Sequence, residues 1–301
     1  MHAILLHGYG GVDQLVYEDA PKPQIKPNEV LVRVLATSVN PIDWKIREGA
    51  LKERMHLNFP VILGRDVAGE VVEVGSQVKD FKPGDRVMGL VNESYAEFLA
   101  AKANDLTRIP DGLTVEQAGA LPLVTTTGAQ LIEEGVAPKN GQTILVTGAA
   151  GSVGRTAVHV AKEHGATVIA GVRKRQKSAA ATLGADKVVA LDDDGEIAAL
   201  EAVDAIADTV NGELIRKLLP KLKKSGVLAS VLGKPAAAEK SGVRVVPVSS
   251  HPDAARLHQL AEEVASGAFT MPVTKVLPLR DARQAQELAE NGVAGKIVLT
   301  P

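Results

Sequence analysis

The sequence has no cysteine among its 301 residues, and aromatic residues make up only 3% of it, with Trp44 as the single tryptophan. Without cysteine the chain can form no disulfide and no catalytic thiolate, and zinc loses its commonest soft ligand. The scarcity of aromatic residues argues against a stacking platform for single-stranded nucleic acid. The formal net charge of −2 gives no electrostatic attraction to nucleic acid or to an anionic membrane.

Long hydrophobic runs are also missing. None approaches the roughly 20 residues that a membrane-spanning helix needs, and residues 1–7 lack the basic region and apolar stretch of a signal peptide. We therefore expect no membrane partner, no nucleic-acid partner and a cytoplasmic location. The remaining composition, 45% hydrophobic and 23% charged, is that of an ordinary globular protein long enough for two domains.

The first part of the chain, up to about residue 115, consists of short strand-like segments separated by turns rich in glycine and proline. Val30–Ala36 and Tyr95–Leu99 are two of the predicted strands. This pattern is typical of a partly open, twisted β-barrel. Residues 270–301 return to the same character around one predicted helix, so we expect them to rejoin the first domain.

The middle of the chain alternates apolar strands with helical stretches from about residue 118. Lys177–Leu183 is one of the predicted helices, and Gly226–Leu232 one of the predicted strands. Such alternation predicts βαβ units and a doubly wound parallel sheet that binds a nucleotide. The fold class is therefore α/β. The predicted domains are residues 1–118 with 268–301, and residues 119–267.

A glycine-rich loop follows the strand Thr143–Thr147, with glycines at 148, 151 and 154, and a helix over Val153–His164 begins at once. Glycine permits a tight turn and a close approach of the backbone to a pyrophosphate, and the helix start supplies free N–H groups. The spacing is GxxGxxG rather than GxGxxG, so the strand-turn-helix context carries the prediction. The alternative is a glycine-lined turn without a ligand. The candidate cofactor-binding residues of this loop are Gly148, Ala150, Gly151, Ser152, Val153 and Gly154.

The second strand of this unit, Thr167–Gly171, indicates which dinucleotide binds. An NAD enzyme places an acid at this strand end to bond the ribose 2′-hydroxyl. No acid occurs in Val172–Lys177, where four of the six residues are basic. A 2′-phosphate favours such partners, so we predict NADP(H), with Arg173 as its first contact and Lys177 as its second. The alternative is a basic turn that faces only solvent.

Several motifs resemble a known family. Residues 60–75 resemble the hallmark P-x-x-x-G-x-D-x-A-G-x-V-x-x-V-G of the medium-chain dehydrogenase/reductase superfamily, and residues 40–49 are similar to N-P-x-D-x-K-x-R-x-G of its quinone oxidoreductases. The resemblance extends over nearly the whole chain, and plant alkenal/enone oxidoreductases and zeta-crystallin-like proteins share it. It implies a GroES-like barrel domain beside a Rossmann domain.

The resemblance also implies metal-free chemistry. The cysteine and the Gly-His-Glu of the zinc enzymes are absent, and Gly64-Arg65-Asp66 stands in place of the latter. The function implied is hydride transfer from NADPH to a quinone or to the activated C=C bond of an enone or alkenal, because these acceptors need no Lewis acid. The small-molecule acceptor is the expected partner, and no metal is predicted.

The candidate catalytic residues are Lys45, Asn40 and Asp43. Lys45 is a donor to the acceptor carbonyl or the cofactor ribose, or else a solvated lysine. Asn40 bonds the ribose or the substrate, or else only forms a turn, whereas Asp43 braces the backbone as a helix cap. Trp44 either walls the cleft or packs as an aromatic in the seam between the domains. Tyr95 is a candidate proton donor, but local bonding in a structural role is favoured.

The resemblance implies further cofactor contacts, each with an ordinary turn as its alternative. These are Thr125, Thr127, Asn211, Leu232, Gly233 and Lys296. Residues 243–248 read as an edge strand containing a proline, and family members often pair such edges, so a homodimer is predicted. Residues 191–194 replace a tyrosine of the plant reductases, and the stretches after Val91 and Gly233 are short.

Two other functions remain open. One is an alcohol dehydrogenase with unusual metal ligands, although the seven histidines form no compact ligand set in the sequence. The other is a non-catalytic NADPH-binding redox sensor or crystallin-like protein, because a phosphate loop alone cannot distinguish binding from catalysis.

Overall fold

The computed structural model describes residues 1–239 and 241–301. The chain folds into two compact units, residues 1–123 with 252–301 and residues 124–251. The second boundary lies before the helix Ala254–Ala265, which the predicted division assigned to the nucleotide-binding domain. This helix packs against the strands Arg86–Leu90 and Leu106–Arg108 of the first unit.

The secondary structure is numbered in chain order. The strands are β1 (His2–Leu6), β2 (Leu15–Asp19), β3 (Glu29–Ser38), β4 (Val61–Ile62), β5 (Asp66–Val74), β6 (Arg86–Leu90), β7 (Phe98–Lys102), β8 (Leu106–Arg108), β9 (Thr143–Thr147), β10 (Thr167–Val172), β11 (Lys187–Ala190), β12 (Val203–Asp208), β13 (Leu222–Ser230), β14 (Arg244–Pro247), β15 (Val273–Pro278) and β16 (Lys296–Thr300). The helices are α1 (Pro41–Arg47), α2 (Val115–Gly119), α3 (Pro122–Gln130), α4 (Ser152–Glu163), α5 (Lys177–Ala180), α6 (Asp194–Ala198), α7 (Glu213–Leu218), α8 (Ala254–Ala265) and α9 (Ala282–Glu290).

The first unit contains two sheets. One has the order β2-β1-β4, and the other runs β15-β16-β3-β5-β6-β8, with β7 also paired to β3. Strand β3 is central because β5, β7 and β16 all pair with it antiparallel, and its side chains are largely buried for that reason. Val30, Val32 and Val34 pack with residues of β5 and β6 in one hydrophobic core. The arrangement has the predicted barrel-like character.

The second unit is a six-stranded parallel sheet with the order β11-β10-β9-β12-β13-β14. If the six strands are numbered 1 to 6 along the chain, the sheet has the order 3-2-1-4-5-6. In this doubly wound arrangement dinucleotides bind where the strand order reverses. That reversal lies between the adjacent strands β9 and β12. The predicted α/β class and the parallel sheet are confirmed.

Three predicted elements were wrong in extent. The strand expected at Tyr95–Leu99 is displaced to Phe98–Lys102, because residues near Tyr95 bond elsewhere: Tyr95 N–H donates to Leu63 O (3.0 Å), and Tyr95 O accepts from Ile4 N–H (2.8 Å). Helix α5 ends at Ala180 rather than Leu183. Strand β13 runs over Leu222–Ser230 instead of Gly226–Leu232.

The C-terminal segment completes the first unit. Strand β16 pairs antiparallel with β3, and Ile297 and Leu299 pack in a core with Ile4, Leu6 and Tyr95. Within the described residues, every helix is too short or too polar to cross a lipid bilayer.

Candidate functional site

The glycine loop joins β9 to α4 through a tight turn with glycines at 148, 151 and 154. Gly148 has a φ of +62°, and a Cβ there would lie 2.4 Å from Thr209 Oγ1. A Cβ on Gly154 would lie 2.2 Å from Gly148 O, so this glycine lets the first turn of α4 rest on the loop. Gly151 is less constrained, since its Cβ would meet Gly148 O at 3.2 Å. Two of the three glycines are therefore required by close approach.

The start of α4 is open to an anion. Gly151 caps the helix with an extended backbone, and within the described chain no side chain supplies a cap hydrogen bond. The helix has 12 residues, so its N-terminus has the positive end of a full macrodipole. Arg155, which the sequence did not single out, donates to Ala150 O at 3.3 Å, and burial lowers the pKa of its guanidinium. A phosphate at this position would meet backbone N–H groups and a nearby cation.

The basic segment after β10 divides into paired and unpaired side chains. Lys174 Nζ lies 3.2 Å from Asp193, and Lys177 Nζ lies 2.8 Å from Glu196. The exposed guanidinium of Arg173 makes no ion pair within the described residues, and neither does that of its neighbour Arg175. Of the two predicted phosphate contacts, Arg173 is thus available, whereas Lys177 is held by an acid.

The remaining predicted contacts of the second unit lie on helix α3 and on turns at the ends of β12 and β13. Thr125 and Thr127 are buried on α3. Asn211 has a φ of +62°, and its side chain accepts from Gly212 N–H. Leu232 and Gly233 follow β13, and Leu232 N–H donates to Ser230 Oγ (3.2 Å).

The turns after β12 and β13 meet at one buried carboxylate, that of Asp208 at the end of β12. Its Oδ1 accepts from Thr147 Oγ1 (2.9 Å) and from the N–H groups of Val210 and Asn211 (3.0 Å each). Its Oδ2 accepts from Ser230 Oγ at 2.8 Å. The sequence offered one signal for this residue, an acid that ends the strand directly after the apolar run Ala205-Ile206-Ala207.

The first unit holds a second buried polar cluster, centred on Asp66 at the start of β5. Asp66 Oδ2 accepts from Ser38 Oγ and from Asn40 Nδ2 (2.7 Å), and Oδ1 accepts from Leu123 N–H (2.6 Å). Lys296 Nζ lies 3.8 Å from this carboxylate and donates to Asn40 Oδ1 (2.5 Å). Burial lowers the pKa of Lys296, while Asp66 and Asp43 oppose that shift. Asn40 and Lys296 therefore bond each other inside this unit.

Asp43 and Tyr95 extend the same cluster. Asp43 Oδ2 accepts from Asn40 N–H and from the Tyr95 hydroxyl, both at 2.8 Å, which makes Asp43 part of the capping box of α1. Its other oxygen, Oδ1, is buried without a partner within the described residues. Burial raises the pKa of Asp43 to about 6, and that of Tyr95 well above its ordinary value. Asp43 thus links the start of α1 to the Tyr95 hydroxyl within the first unit.

Lys45 and Trp44 lie on the same short helix. Lys45 is half-buried, and within the described residues its ammonium has no hydrogen-bond partner. Trp44 packs on the hydrophobic core around Leu6 and Leu299. Among the three candidate catalytic residues, Lys45 alone has a side chain whose polar atoms are all left unbonded by the described protein.

Known protein families match segments of both units of the chain. Residues 26–111 match the alcohol dehydrogenase GroES-like domain, and residues 183–299 match the zinc-binding dehydrogenase family. Residues 144–212, which include the glycine loop, match the NAD dependent epimerase/dehydratase family. A chloroplast envelope quinone oxidoreductase homolog of Arabidopsis thaliana is 34% identical over 325 residues, covering 100% of this chain and 98% of that protein.

The chain belongs to the medium-chain dehydrogenase/reductase family. A second Arabidopsis thaliana relative, a chloroplastic NADPH-dependent alkenal/one oxidoreductase, is 32% identical over 320 residues, which is 100% of this chain and 80% of that protein. The solved structure of the quinone oxidoreductase from Coxiella burnetii superimposes with a TM-score of 0.89 at 30% identity, covering 100% of this chain and 99% of that one. The family predicted from the motifs is confirmed, and with it the general class of NAD(P)H-dependent oxidoreductase.

Proposed function

We propose that this member of the family is an NADPH-dependent reductase that transfers hydride to a quinone or to the activated C=C bond of an enone or alkenal, without a metal. The observation that carries the proposal is the open helix start at the glycine loop, combined with the unpaired guanidinium of Arg173 directly after β10 in the described chain. The names of the quinone and alkenal/one oxidoreductase relatives support the choice of acceptor. When bound, the nicotinamide supplies the hydride.

The preference for NADPH over NADH rests on the charges after β10. Arg173 follows the strand directly and has no acid partner within the described chain, so its guanidinium can bind a 2′-phosphate without first breaking an ion pair. Lys177 would have to release Glu196, which also accepts from Ala190 N–H at 2.8 Å. We therefore assign the phosphate contact to Arg173 and give Lys177 a supporting role at most.

The metal-free assignment rests on the donors around Asp66. Both of its carboxylate oxygens already accept hydrogen bonds, and the ammonium of Lys296 lies 3.8 Å away, where a second cation would be repelled. Zinc sites in proteins use thiolate, imidazole and carboxylate ligands, and Arg65 stands beside Asp66 where the zinc enzymes have a histidine. These residues do not fit a catalytic zinc. We expect activity to survive dialysis against a chelator, and a loss restored by added zinc would contradict the assignment.

The roles in the first unit follow from which groups are already bonded. Lys45 is free to donate to the acceptor oxygen, where negative charge develops as hydride arrives at carbon. Asn40, Asp43 and Lys296 bond one another or Asp66, so they position the segment that carries Lys45 rather than contact the acceptor. Lys296 is 4% exposed, which argues against the cofactor-phosphate contact predicted for it.

The cofactor assignment is tested by exchanging single arginines. Arg173→Ala is expected to lower kcat/KM for NADPH by roughly 10- to 100-fold, as expected for losing a charge-assisted hydrogen bond, and to leave kcat/KM for NADH nearly unchanged. Arg175→Ala is the matched control, because it removes the same charge two positions further along. Equal losses with both cofactors in the Arg173 variant, or an equal loss in the control, would contradict the assignment.

A homodimer is a further part of the proposal. Strand β14 is the last strand of its sheet and pairs with β13 on one side. Pairing of two such edges about a two-fold axis would extend the sheet across both subunits. Light scattering should therefore give twice the chain mass of 31.5 kDa, and a monomeric mass would contradict the pairing.

A further inference from the structure

Asp208 is a buried acid whose bonds all go to neutral donors. It ends β12 and is 0% exposed, and within residues 1–239 and 241–301 no lysine, arginine or histidine forms an ion pair with it. A buried carboxylate is costly unless its oxygens are bonded, and here four donors share them: the hydroxyls of Thr147 and Ser230 and the N–H groups of Val210 and Asn211. The bonds link three chain segments, two of them far from Asp208 in sequence.

The first linked segment is the glycine loop. Thr147 is the last residue of β9, and its Oγ1 donates to Asp208 while accepting from Thr209 N–H (2.9 Å). Thr209 Oγ1 in turn donates to Thr147 O at 2.8 Å and covers Gly148, the residue with a φ of +62°. The carboxylate thereby fixes the direction in which the loop leaves the strand.

The other two segments are the turns after β12 and β13. Val210 and Asn211 donate their N–H groups to Asp208, which defines the turn that runs into α7. Ser230 donates to Asp208 and accepts from Leu232 N–H (3.2 Å), which defines the turn towards Gly233. Strands β9, β12 and β13 are parallel neighbours in the sheet, so the three turns that follow them lie together at the carboxyl ends of the strands, beside the reversal of strand order.

We propose that Asp208 is a positioning residue for the dinucleotide: its carboxylate holds the glycine loop and the turns at 209–212 and 230–233 in the one arrangement that receives the cofactor. This inference rests on the proposed function and adds to it a residue that does not contact the cofactor. A carboxylate accepts at both oxygens, whereas asparagine has a single accepting oxygen. In an asparagine variant the Ser230 hydroxyl, which donates to Asp208 Oδ2 and accepts from Leu232 N–H, would have to turn and accept from the amide N–H, which disturbs the turn at 230–233.

The test compares two asparagine variants on the same strand. Asp208→Asn is expected to raise the Kd for NADPH, measured by calorimetry, roughly tenfold or more, and to raise KM for NADPH with a smaller change in kcat. Asp204→Asn is the control: Asp204 lies near the opposite end of β12, where it pairs with Lys223 (2.8 Å) and accepts from Thr143 N–H. The control is expected to bind NADPH as the wild type does.

A second pair of variants decides the matter if Asp208→Asn does not fold. Thr147→Val removes one donor at nearly constant volume and should weaken NADPH binding several-fold, and Thr147→Ser, which keeps the hydroxyl, should recover most of the loss. Unchanged binding in folded Asp208→Asn or in Thr147→Val, or an equal loss in Asp204→Asn, would overturn the inference while leaving the proposed function intact. A wild-type protein that binds neither NADPH nor NADH would overturn both.

Discussion

Replacing Asp43 with asparagine perturbs the buried cluster of the first unit in a way that depends on pH. Burial raises the pKa of Asp43 from 3.8 to about 6, although bonds from Asn40 and Tyr95 favour its ionised form. The folded protein therefore holds this proton more tightly than the unfolded chain does. Stability that depends on the proton is fully present below about pH 4 and is lost as the pH rises through about 6.

The size of the effect follows from the shift. A difference of about two pKa units corresponds to about 3 kcal/mol between the protonation states, and Asp43 is only 1% exposed, so solvent screens little of it. Asparagine has the shape of the protonated acid, can accept from Asn40 N–H and the Tyr95 hydroxyl, and never ionises. Relative to wild type, Asp43→Asn should gain about 2 kcal/mol of unfolding free energy between about pH 4.5 and pH 8, because about 1 kcal/mol of the total of about 3 is gained below this range.

The assay is urea unfolding across this pH range, followed by the fluorescence of Trp44. This single tryptophan lies in the same unit as Asp43, so its signal reports the unfolding that matters. Asp111→Asn, the same substitution at an exposed position of the same unit, serves as the matched control, and an equal pH-dependent difference there would also count against the role of Asp43. A difference between Asp43→Asn and wild type that is flat with pH, or that favours wild type more as the pH rises, would refute the reasoning about Asp43.

Two further substitutions test close packing and buried charge. Gly154→Ala should destabilise the protein by about 3 kcal/mol and abolish tight NADPH binding, because its Cβ would lie 2.2 Å from Gly148 O. Gly151→Ala, whose Cβ would lie 3.2 Å from the same atom, should cost less than about 1 kcal/mol. Equal losses of stability and NADPH binding in the two variants, measured by calorimetry, would contradict this difference. Arg47→Met should cost about 3 kcal/mol in urea unfolding, because the 3%-exposed Arg47 side chain bonds Gln286 at 2.9 Å; a loss below about 1 kcal/mol would argue against this buried contact.

The sequence was sufficient to predict those helices and strands whose position depends on neighbouring residues in the chain. The apolar run at Thr143–Thr147 followed by glycines predicted β9 and α4 within one residue at either end, because only a strand-turn-helix accommodates that spacing. Strand β7 was misplaced, since the chain near Tyr95 bonds to Ile4 and Leu63, and such distant partners leave no trace in a short window of sequence.

The polar clusters could not be predicted for the same reason. Lys296 bonds Asn40 across 256 residues, and an isolated lysine is by default an exposed one. Asp66 was visible only as part of a family motif, and Asp208 only as an acid directly after the apolar run Ala205-Ile206-Ala207. Neither signal reveals that several donors converge on each carboxylate. By contrast, Arg173 was predicted from the absence of an acid, and the structure leaves its guanidinium unpaired within the described chain.

The most direct test of the proposed function is the rate at which the purified protein consumes NADPH with one alkenal, one cyclic enone, one ortho-quinone and one para-quinone, each repeated with NADH. We expect turnover on at least one acceptor, faster with NADPH than with NADH at equal concentration, and unaffected by a chelator. NADPH binding without turnover on any of the four acceptors would contradict the proposed reductase and favour a non-catalytic binding role. Turnover that prefers NADH would contradict the assignment of Arg173.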